Sequence, residues 1–213
     1  MEYPNWNGAT LARCQRKFSR ALPRCELRAV ASANGIAQNY DEGVANENFL
    51  EGLGTIFIRA IDSDYPRPVS TSIYDEWGEM APDIRDMAFT RWLITLTQVD
   101  RTEVPVGDLS AHAVWYGPTP GSRALNIGIS VVNEYRNKGI GSIAQRLLAD
   151  LLHEQGIVRV EAQTDIENVA ELKALEKAGF KYEGTLRKAQ GRADGLHDIQ
   201  VWSHIFSGGI DAD

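Results

Sequence analysis

The sequence predicts an α+β domain with a mixed, mostly antiparallel central sheet and helices on both faces. A β-branched run at Ile127–Val132 leads through a polar turn into a helix-periodic stretch, and a second strand and helix follow at 158–178. Two strand-like segments joined by a turn, Leu93–Val99 and Leu109–Tyr116, come before them. Strands joined through helices pair in parallel, whereas strands joined by turns pair antiparallel. The two patterns together therefore predict a mixed sheet.

Composition bounds the class of protein. The 213 residues, 43% of them apolar, suffice for one domain with a buried core. The formal charge of −7 argues against a nucleic-acid partner. Cys14 and Cys25 have no second pair at metal-ligand spacing and are expected to be reduced thiols. No signal peptide opens the chain and no apolar run of about 18 residues occurs, so we expect a cytoplasmic protein without a membrane partner.

Residues 1–48 are expected to form an N-terminal extension before the main domain at 49–207, with 208–213 as a short tail. The segment Met1–Arg28 carries six basic residues against two acidic ones, and 29–48 is rich in Ala, Asn and Gly, as linkers are. Two interpretations of the extension stay open, a docking arm and a solvated segment.

The first half of the domain is predicted to supply one strand, Thr55–Ile61, and two helices, Val69–Trp77 and Pro82–Trp92. From residue 41 to residue 89, eleven acidic residues stand against three arginines. A solvated helix surface explains this charge as well as an acidic entrance for a cationic ligand does. The acidic residues in and between the two helices are Asp75, Glu76, Glu79, Asp83 and Asp86.

The remaining sheet elements follow in order. The turn Asp100–Gly107 joins the two strand-like segments, and the turn Gly117–Gly121 leads into the central strand. Asp198–Phe206 is predicted to close the sheet, with its apolar residues at alternate positions on one face.

The segment 125–156 holds the clearest functional signal. Gly156 is the expected left-handed end of its helix. The turn before the helix is rich in glycine and cations, so its backbone N–H groups and the helix N-terminus predict a phosphate or pyrophosphate site. The residues of this candidate site are Arg136, Asn137, Lys138, Gly139, Ile140, Gly141 and Ser142. The helix itself has one apolar face, formed by Ile143, Leu147, Leu148, Leu151 and Leu152.

The residues of this turn can also be compared with other phosphate-binding motifs. No GKS or GKT is present, which excludes a Walker A loop. Gly139–Ala144 matches the G-x-G-x-x-A pattern of dinucleotide-binding folds, with Glu161 downstream. In those folds the strand runs almost directly into the first glycine, whereas Asn133–Lys138 intervene here. A plain strand–turn–helix connection, with glycines for turning only, is the alternative to any ligand site.

A second motif follows at a characteristic distance. The helix after the next strand reads N-x-x-E from Asn168 and LEKAGF from Leu175, with EG at Glu183. An R-x-x-G-x-G loop followed by N…LEKAGF…EG resembles the GNAT superfamily of acyl-CoA N-acyltransferases, in particular its RimJ/RimL-type branch. The resemblance covers Phe49–Phe206, including FLEG near its start and HDIQVWS near its end.

The resemblance implies an acetyltransferase with acetyl-CoA as donor and a primary amine as acceptor, either a protein N-terminus or a small cationic amine. It implies that the backbone of Ile129 and Val131 holds the pantetheine arm, that the loop 136–142 takes the pyrophosphate, and that Asn168 contacts the arm. The first two helices would line the acceptor entrance, and a homodimer stays open. The alternatives are a GNAT-like module that binds acyl-CoA without catalysis and a nicotinamide-dependent oxidoreductase.

The residues for proton transfer depart from the family pattern. Asn126 replaces a central-strand carboxylate that often acts as the base, and Leu175 replaces a tyrosine that often donates a proton. Glu171 stands where a serine is common, and Gln190 stands where RimL-like enzymes carry a glutamate. The predicted catalytic residues are Glu171 and Glu183, and no metal site is predicted. Further candidates are Tyr182, His112 and His197.

Overall fold

The computed structural model describes residues 48–62, 64–79 and 88–207. The predicted N-terminal extension with both cysteines, the predicted tail, and two of the acidic residues, Asp83 and Asp86, lie outside this part of the chain. Within it, no helix is both long enough and apolar enough to cross a bilayer.

A sheet of eight strands organises the described chain. Neighbours run in the order β1-β2-β3-β4-β5-β6-β8-β7, and every pair is antiparallel except β5–β6. The predicted mixed, mostly antiparallel sheet is therefore confirmed. The strands are β1 (Phe49–Leu50), β2 (Gly54–Ile61), β3 (Thr90–Thr97), β4 (Glu103–Trp115), β5 (Arg123–Val131), β6 (Arg159–Asp165), β7 (Lys181–Arg192) and β8 (Gly195–Ile205).

Two α-helices cover one face of the sheet, α1 (Ile140–Glu154) and α2 (Val169–Lys177). The apolar face predicted for α1 packs into the core or against it, and Leu148 and Leu152 are fully buried. The strands add alternate residues to the same core, among them Ile127 and Val160. We call this side the helix face. The strand residues that alternate with these core residues point to the opposite face of the sheet.

Both helices end where the sequence predicts. Gly156 follows α1 with φ +85°, and Gly179 follows α2 with φ +90°, which are left-handed values that glycine adopts without strain. The N–H of Phe180 then donates to Leu175 O at 3.0 Å, and the Phe180 ring is buried. This arrangement fixes the exit of α2 toward β7.

No α-helix lies on the opposite face among the described residues. The helix predicted at Val69–Trp77 is wrong, because only Ile73–Asp75 form a 3-10 turn there. The β-branched residues of this segment disfavour a helix, and its Ser70 side chain bonds to the end of a strand instead. The second predicted helix, Pro82–Trp92, is wrong at its end, where Thr90 already begins β3.

The sheet contains more strand than the sequence indicates. The predicted turn Asp100–Gly107 is shorter, because Gln98 N–H donates to Thr102 O at 2.9 Å and β4 begins at Glu103. The strand β7 was not predicted, since its residues are mostly polar and exposed. The early start of β4 and the whole of β7 were missed because the sequence there lacks a continuous alternation of apolar residues.

Two histidine rings meet beneath the end of α1. The Nδ1 of His153 lies 2.6 Å from Ile157 O, and only an N–H can bond to a carbonyl, so Nδ1 carries the proton. The Nε2 of His153 then accepts from Nδ1 of His204 at 2.8 Å. Neither of these two hydrogen bonds requires a charged ring. Burial, followed by the nearby His153, lowers the pKa of His204, while Asp150 opposes this shift.

Acid is therefore expected to destabilise the fold through His204. Because its pKa is lowered in the folded state, the unfolded chain takes up the proton first as the pH falls. The free energy of unfolding should then decrease as the pH drops through about 6.5. Urea unfolding of the wild type and of His204→Gln between about pH 5 and pH 7.5 measures this, and the variant should show a shallower pH dependence. Parallel curves would contradict it.

Candidate active site

The only parallel pair in the described sheet, β5–β6, separates partway along its length. Register pairs run from Leu125 with Val160 to Ile127 with Ala162, yet β5 continues to Val131 and β6 to Asp165. Beyond Ile127 and Ala162 the strands diverge and leave a gap that opens toward their carboxyl ends. We call this the interstrand gap.

The backbone of β5 faces this gap at two of the predicted site residues. The N–H of Val132 donates to Val106 O on the β4 side at 2.9 Å. Successive residues of a strand direct their backbone groups to alternate sides, so Ile129 and Val131 direct theirs toward the gap. These are the residues whose backbone was predicted to hold a pantetheine arm.

The turn between β5 and α1 presents backbone donors. Asn137 (φ +58°) and Gly139 (φ +86°) are both left-handed, which turns successive N–H groups outward. Gly139 caps α1 and offers no side chain, and the first turn of the helix contains no acidic residue. The leading N–H groups of the helix, among them those of Gly141 and Ser142, have no intrahelical acceptor. The turn can therefore receive an anion.

The two cations of the turn are placed differently. The Nε of Arg136 donates to Val131 O at 2.9 Å and its Nη2 donates to Ser70 Oγ at 2.7 Å. The guanidinium thus holds the end of β5. The Nζ of Lys138 lies 5.6 Å from the centre of the Tyr135 ring. Lys138 is exposed and is the better placed of the two for a bound phosphate.

Asn168 begins α2 and is already hydrogen-bonded within the protein. Its Oδ1 accepts from Glu171 N–H at 3.3 Å, and its Nδ2 donates to Thr164 Oγ1 at 3.2 Å. Asn168 is therefore the N-cap of the helix. Its predicted contact with a pantetheine arm stays a prediction.

Glu171 lies between the starts of the two helices. Burial raises the pKa of Glu171 to about 7, and a hydrogen bond with Gln145 of α1 opposes the rise. An added Cβ on Gly141 would meet Ala174 Cβ at 3.9 Å, so this turn of α2 adjoins the glycine turn. Near neutrality Glu171 is therefore a mixture of acid and carboxylate.

Glu183 is not brought to this site. Arg159 donates to both of its carboxylate oxygens, with Arg159 Nη1 2.8 Å from Oε1, and Ser203 Oγ donates to Oε1 at 2.6 Å. Arg159 above all, with Ser203, lowers the pKa of Glu183 to about 2. Arg159 begins β6, which places this cluster about 20 Å from the strand end at the gap. Glu183 is a poor proton carrier at neutral pH.

An extended stretch that we call the crossing segment, residues 67–77, spans the interstrand gap. It begins at β4, where Arg67 Nη2 lies 2.9 Å from Asp108 Oδ2. At the end of β5, Ser70 Oγ donates to Val131 O at 3.2 Å. These contacts replace the internal hydrogen bonds of the predicted helix.

The far end of the crossing segment binds the β6 side of the gap. Tyr74 OH donates to Glu167 O, just beyond β6, at 2.9 Å. The guanidinium of Arg192 lies 5.3 Å from the centre of the Tyr74 ring and 5.4 Å from that of Trp77. Ala193 N–H donates to Glu76 O at 3.0 Å. The segment thus joins both sides of the gap to the β7–β8 hairpin.

Charged groups anchor that end of the sheet. The Nδ1 of His197 donates to Asp165 Oδ2 at 2.6 Å, and Arg192 Nη2 lies 3.5 Å from the same oxygen. Asp194 and then Asp165 raise the pKa of His197, so its ring favours the charged form and does not suit a base. Gln190, at the position of the RimL glutamate, accepts from Arg192 Nε at 3.1 Å. Both residues brace the hairpin.

A row of polar side chains crosses the opposite face beside the point where β5 and β6 separate. His112, Asn126, Glu161 and Ser203 are direct register partners on β4, β5, β6 and β8. We call these four residues the polar row. From the sequence, Glu161 was considered only as the acidic residue that follows the G-x-G-x-x-A pattern. Its alternation with the buried Val160 and Ala162 was the available signal that it faces away from the helices.

The other candidates have ordinary contacts. Tyr182 OH lies 2.9 Å from Thr185 Oγ1, and its ring packs edge-on against Trp202. Burial lowers the pKa of His112, which packs edge-on against Phe89. Across residues 48–62, 64–79 and 88–207, no group of three or more His, Cys, Asp or Glu could hold a metal ion.

Comparison with known proteins gives one family. Residues 54–181, more than half of the chain, match the family model described as the acetyltransferase (GNAT) domain. No curated protein matches the chain.

Three solved structures illustrate the structural similarity, each at 22% identity. A GNAT-family acetyltransferase from Bacillus anthracis matches over 54% of this chain and 65% of its own, with a TM-score of 0.45. RimJ from Mycobacterium smegmatis, in complex with CoA-disulfide, matches over 58% and 56%, with a TM-score of 0.47. Ribosomal-protein-S5-alanine acetyltransferase from Vibrio fischeri matches over 57% and 63%, with a TM-score of 0.47. The matched parts thus span 56–65% of these proteins.

Proposed function

The chain belongs to the GNAT acetyltransferase family, and on that premise we propose that it transfers the acetyl group of acetyl-CoA to a primary amine. The observation that carries the proposal is the interstrand gap, which opens beside the glycine turn at the start of α1. The turn suits the pyrophosphate, and the backbone of Ile129 and the N–H of Val131 suit the pantetheine amides, because Val131 O already accepts from Arg136 and Ser70. The thioester would then lie where the strands separate.

The acceptor is proposed to be a protein N-terminus or a small cationic amine. Acidic side chains support this class, because Asp75 and Glu76 at the end of the crossing segment, with Glu79 after it, are exposed. They favour the approach of a cation to this edge of the gap. Attack by the neutral amine on the thioester carbonyl forms the amide and releases the CoA thiolate. The cytoplasmic location and a homodimer stay predictions from the sequence.

Glu171 is proposed to give its proton to the departing thiolate. It lies on the helix face beside the glycine turn, and its raised pKa leaves a substantial acid fraction at neutral pH. A general acid works best when its pKa lies near the working pH. Leu175, at the position of the family's tyrosine, is fully buried and cannot take this role.

A second candidate function is an acyl-CoA-binding module with little catalysis. The observation that favours it is the missing central-strand carboxylate, since Asn126 occupies that position and an amide is not a base. The nicotinamide-dependent alternative is set aside, because the glycine turn lies within the matched GNAT family region. Turnover of acetyl-CoA with amines separates the two remaining candidates.

Acetyl-CoA is expected to raise the melting temperature, and NADH is not. At ~100 times its dissociation constant a ligand adds about 2.7 kcal/mol to the free energy of unfolding. Differential scanning fluorimetry with each ligand measures the shift. Gly141→Val should weaken the acetyl-CoA shift, because its side chain would block the approach of the phosphates to the backbone. Stabilisation by NADH alone would end the proposal.

The Gly141 substitution is informative because the backbone there has room for a Cβ. An added Cβ there meets nothing closer than 3.9 Å, and the residue is helical. Gly121→Val is the matched control, since a Cβ at Gly121 meets nothing within 4 Å and the residue lies far from the turn in sequence. The control should keep the full acetyl-CoA shift. Equal shifts in the two variants would remove the phosphate role of the turn.

A further inference from the structure

We propose that Gln145 is a positioning residue for the reaction, because its buried side-chain amide holds the carboxyl group of Glu171 against the start of α1. The inference rests on the proposed function, in which Glu171 is the acid, and it adds a residue outside the motifs that carried the family resemblance. Gln145 would act through Glu171 and not on a substrate.

Gln145 places a polar side chain where α1 faces the core. The residue is 1% exposed, and its helix neighbours Ala144, Leu148 and Ala149 belong to the hydrophobic core. Burying an amide is costly unless it is hydrogen-bonded, and an apolar side chain would fill the same space without that cost. The bonds that the amide makes therefore show what this position is used for.

The two N–H groups of the amide can serve two acceptors. Nε2 donates to Gly141 O at 3.2 Å, within the first turn of α1. The side chain also hydrogen-bonds to the carboxyl group of Glu171 on α2. That bond favours the charged carboxylate, so the amide is its donor. One buried amide thus ties the start of α1 to the proposed acid.

The bond to Gly141 places this link at the proposed pyrophosphate site. Gly141 O and Ser142 N–H belong to one peptide unit, and that N–H is among the leading donors of the helix. A donor on the oxygen polarises the peptide and strengthens its N–H as a donor. An added Cβ on Gly141 would meet Ala174 Cβ and Ile129 Cδ1, both at 3.9 Å. The link therefore lies between α2 and a strand that borders the interstrand gap.

The surroundings leave the amide as the main polar influence on Glu171. Burial raises the pKa of Glu171 and the amide of Gln145 opposes the rise. The helix α2 packs against α1, β6 and β7. The buried titratable side chains of α1 and β6 are His153, Glu161 and Asp165, and each is hydrogen-bonded to another group.

The amide has a defined part in the proton transfer. When the departing thiolate takes the proton of Glu171, a carboxylate is left beside the two helices. The amide of Gln145 donates to that carboxylate and stabilises it, so the proton is easier to release. Glu171 keeps part of its surface exposed, and solvent can return the proton. Gln145 itself gains and loses only hydrogen bonds.

The first test is Gln145→Met, which keeps the length of the side chain and removes both N–H donors. The pKa of Glu171 should rise because its carboxylate loses a donor, and the alkaline limb of kcat should move up by about one pH unit or more. The plateau of kcat should fall about 10-fold, since the carboxyl group is no longer held in place. The acetyl-CoA melting shift should persist. Gln155→Met, the same change at an exposed residue at the end of α1, is the control and should match wild type.

A double variant separates this role from a purely structural one. In Glu171→Gln, adding Gln145→Met should leave the rate almost unchanged, because no acid is left to position. A structural defect would lower the rate by the same factor in both backgrounds, and that result overturns the proposal. An alkaline limb that stays at the wild-type pH in Gln145→Met refutes it as well.

Gln145→Glu covers the case in which Gln145→Met does not fold. It has the shape of glutamine, and a second carboxyl group beside Glu171 also raises the pKa, so the limb should move in the same direction. An unmoved limb in this variant counts against the proposal.

Carbon-detected NMR titration of the Glu171 carboxyl group measures its pKa without turnover. If wild type binds acetyl-CoA yet acetylates no amine, the proposed function fails, while a raised pKa in Gln145→Met still supports the link between the two side chains. If wild type is active and that pKa is the same in wild type and Gln145→Met, only the role of Gln145 fails.

Discussion

Glu171→Gln is expected to bind acetyl-CoA as wild type does and to turn over about 10²- to 10⁴-fold more slowly. The physical reason is the proton on Glu171. Burial raises the pKa of Glu171 to about 7, so the carboxylic acid is present at neutral pH and is lost above it. Wild-type kcat should accordingly decline on the alkaline side of about pH 7, and the glutamine variant should lack this decline. Initial rates across pH, with saturating acetyl-CoA, measure both effects.

Glu176→Gln is the matched control for this prediction. Glu176 lies on the same helix, is exposed, and loses the same charge on substitution. Its rate and pH profile should match those of wild type. If Glu171→Gln also keeps the wild-type kcat and the alkaline limb, Glu171 is a structural residue between the helices, and the thiolate leaves without help from it.

Asp165→Asn is expected to lower the free energy of unfolding by about 3–5 kcal/mol, the usual effect of breaking a buried ion pair on one side. Asp165 is 1% exposed and faces both His197 and the buried guanidinium of Arg192. An asparagine keeps the acceptor for Glu167 N–H, which lies 2.8 Å from Oδ1. The measured loss therefore reports the missing charge together with the lost acceptor at Oδ2, which His197 and Arg192 contact. Urea unfolding gives the value.

Asp194→Asn supplies the comparison for Asp165. Asp194 contacts the same histidine, 2.8 Å from its Nε2, but is mostly exposed. Its removal should change stability little, because solvent already screens the pair. The two carboxylates raise the pKa of His197, so this pairing stabilises the fold at low pH and fades as the pH rises through the raised value. Equal losses in the two variants would contradict the buried-pair argument.

Local patterns were sufficient to predict the structure around the proposed acetyl-CoA site. The periodicity of α1, the glycine that ends it and the turn before it all lie within one continuous stretch, and the structure places them as expected. Such signals are strong because each depends on neighbours a few residues away. The family resemblance depends on the same stretch, which explains why it could be stated from the sequence.

The opposite face could not be predicted in the same way. The crossing segment is held by Asp108, Val131 and Glu167, partners between 41 and 93 residues away. Its local pattern was compatible with a helix, and the distant partners decided otherwise. The neighbours of Glu161 were hidden for the same reason, since Asn126 is placed beside it only when β5 and β6 pair in a defined register. The sequence does not state that register.

The contacts of the crossing segment turn the two diverging strands into a closed ring. Its perimeter runs from the paired ends at Ile127 and Ala162 along β5 to Val131, across to Tyr74, and back through Glu167. A ligand can therefore enter the interstrand gap only end-on, through the opening of this ring. We therefore expect the ring to admit slender chains, such as a pantetheine arm from one side and an extended amine from the other. It should exclude amines that do not project from the surface of a large, rigid molecule.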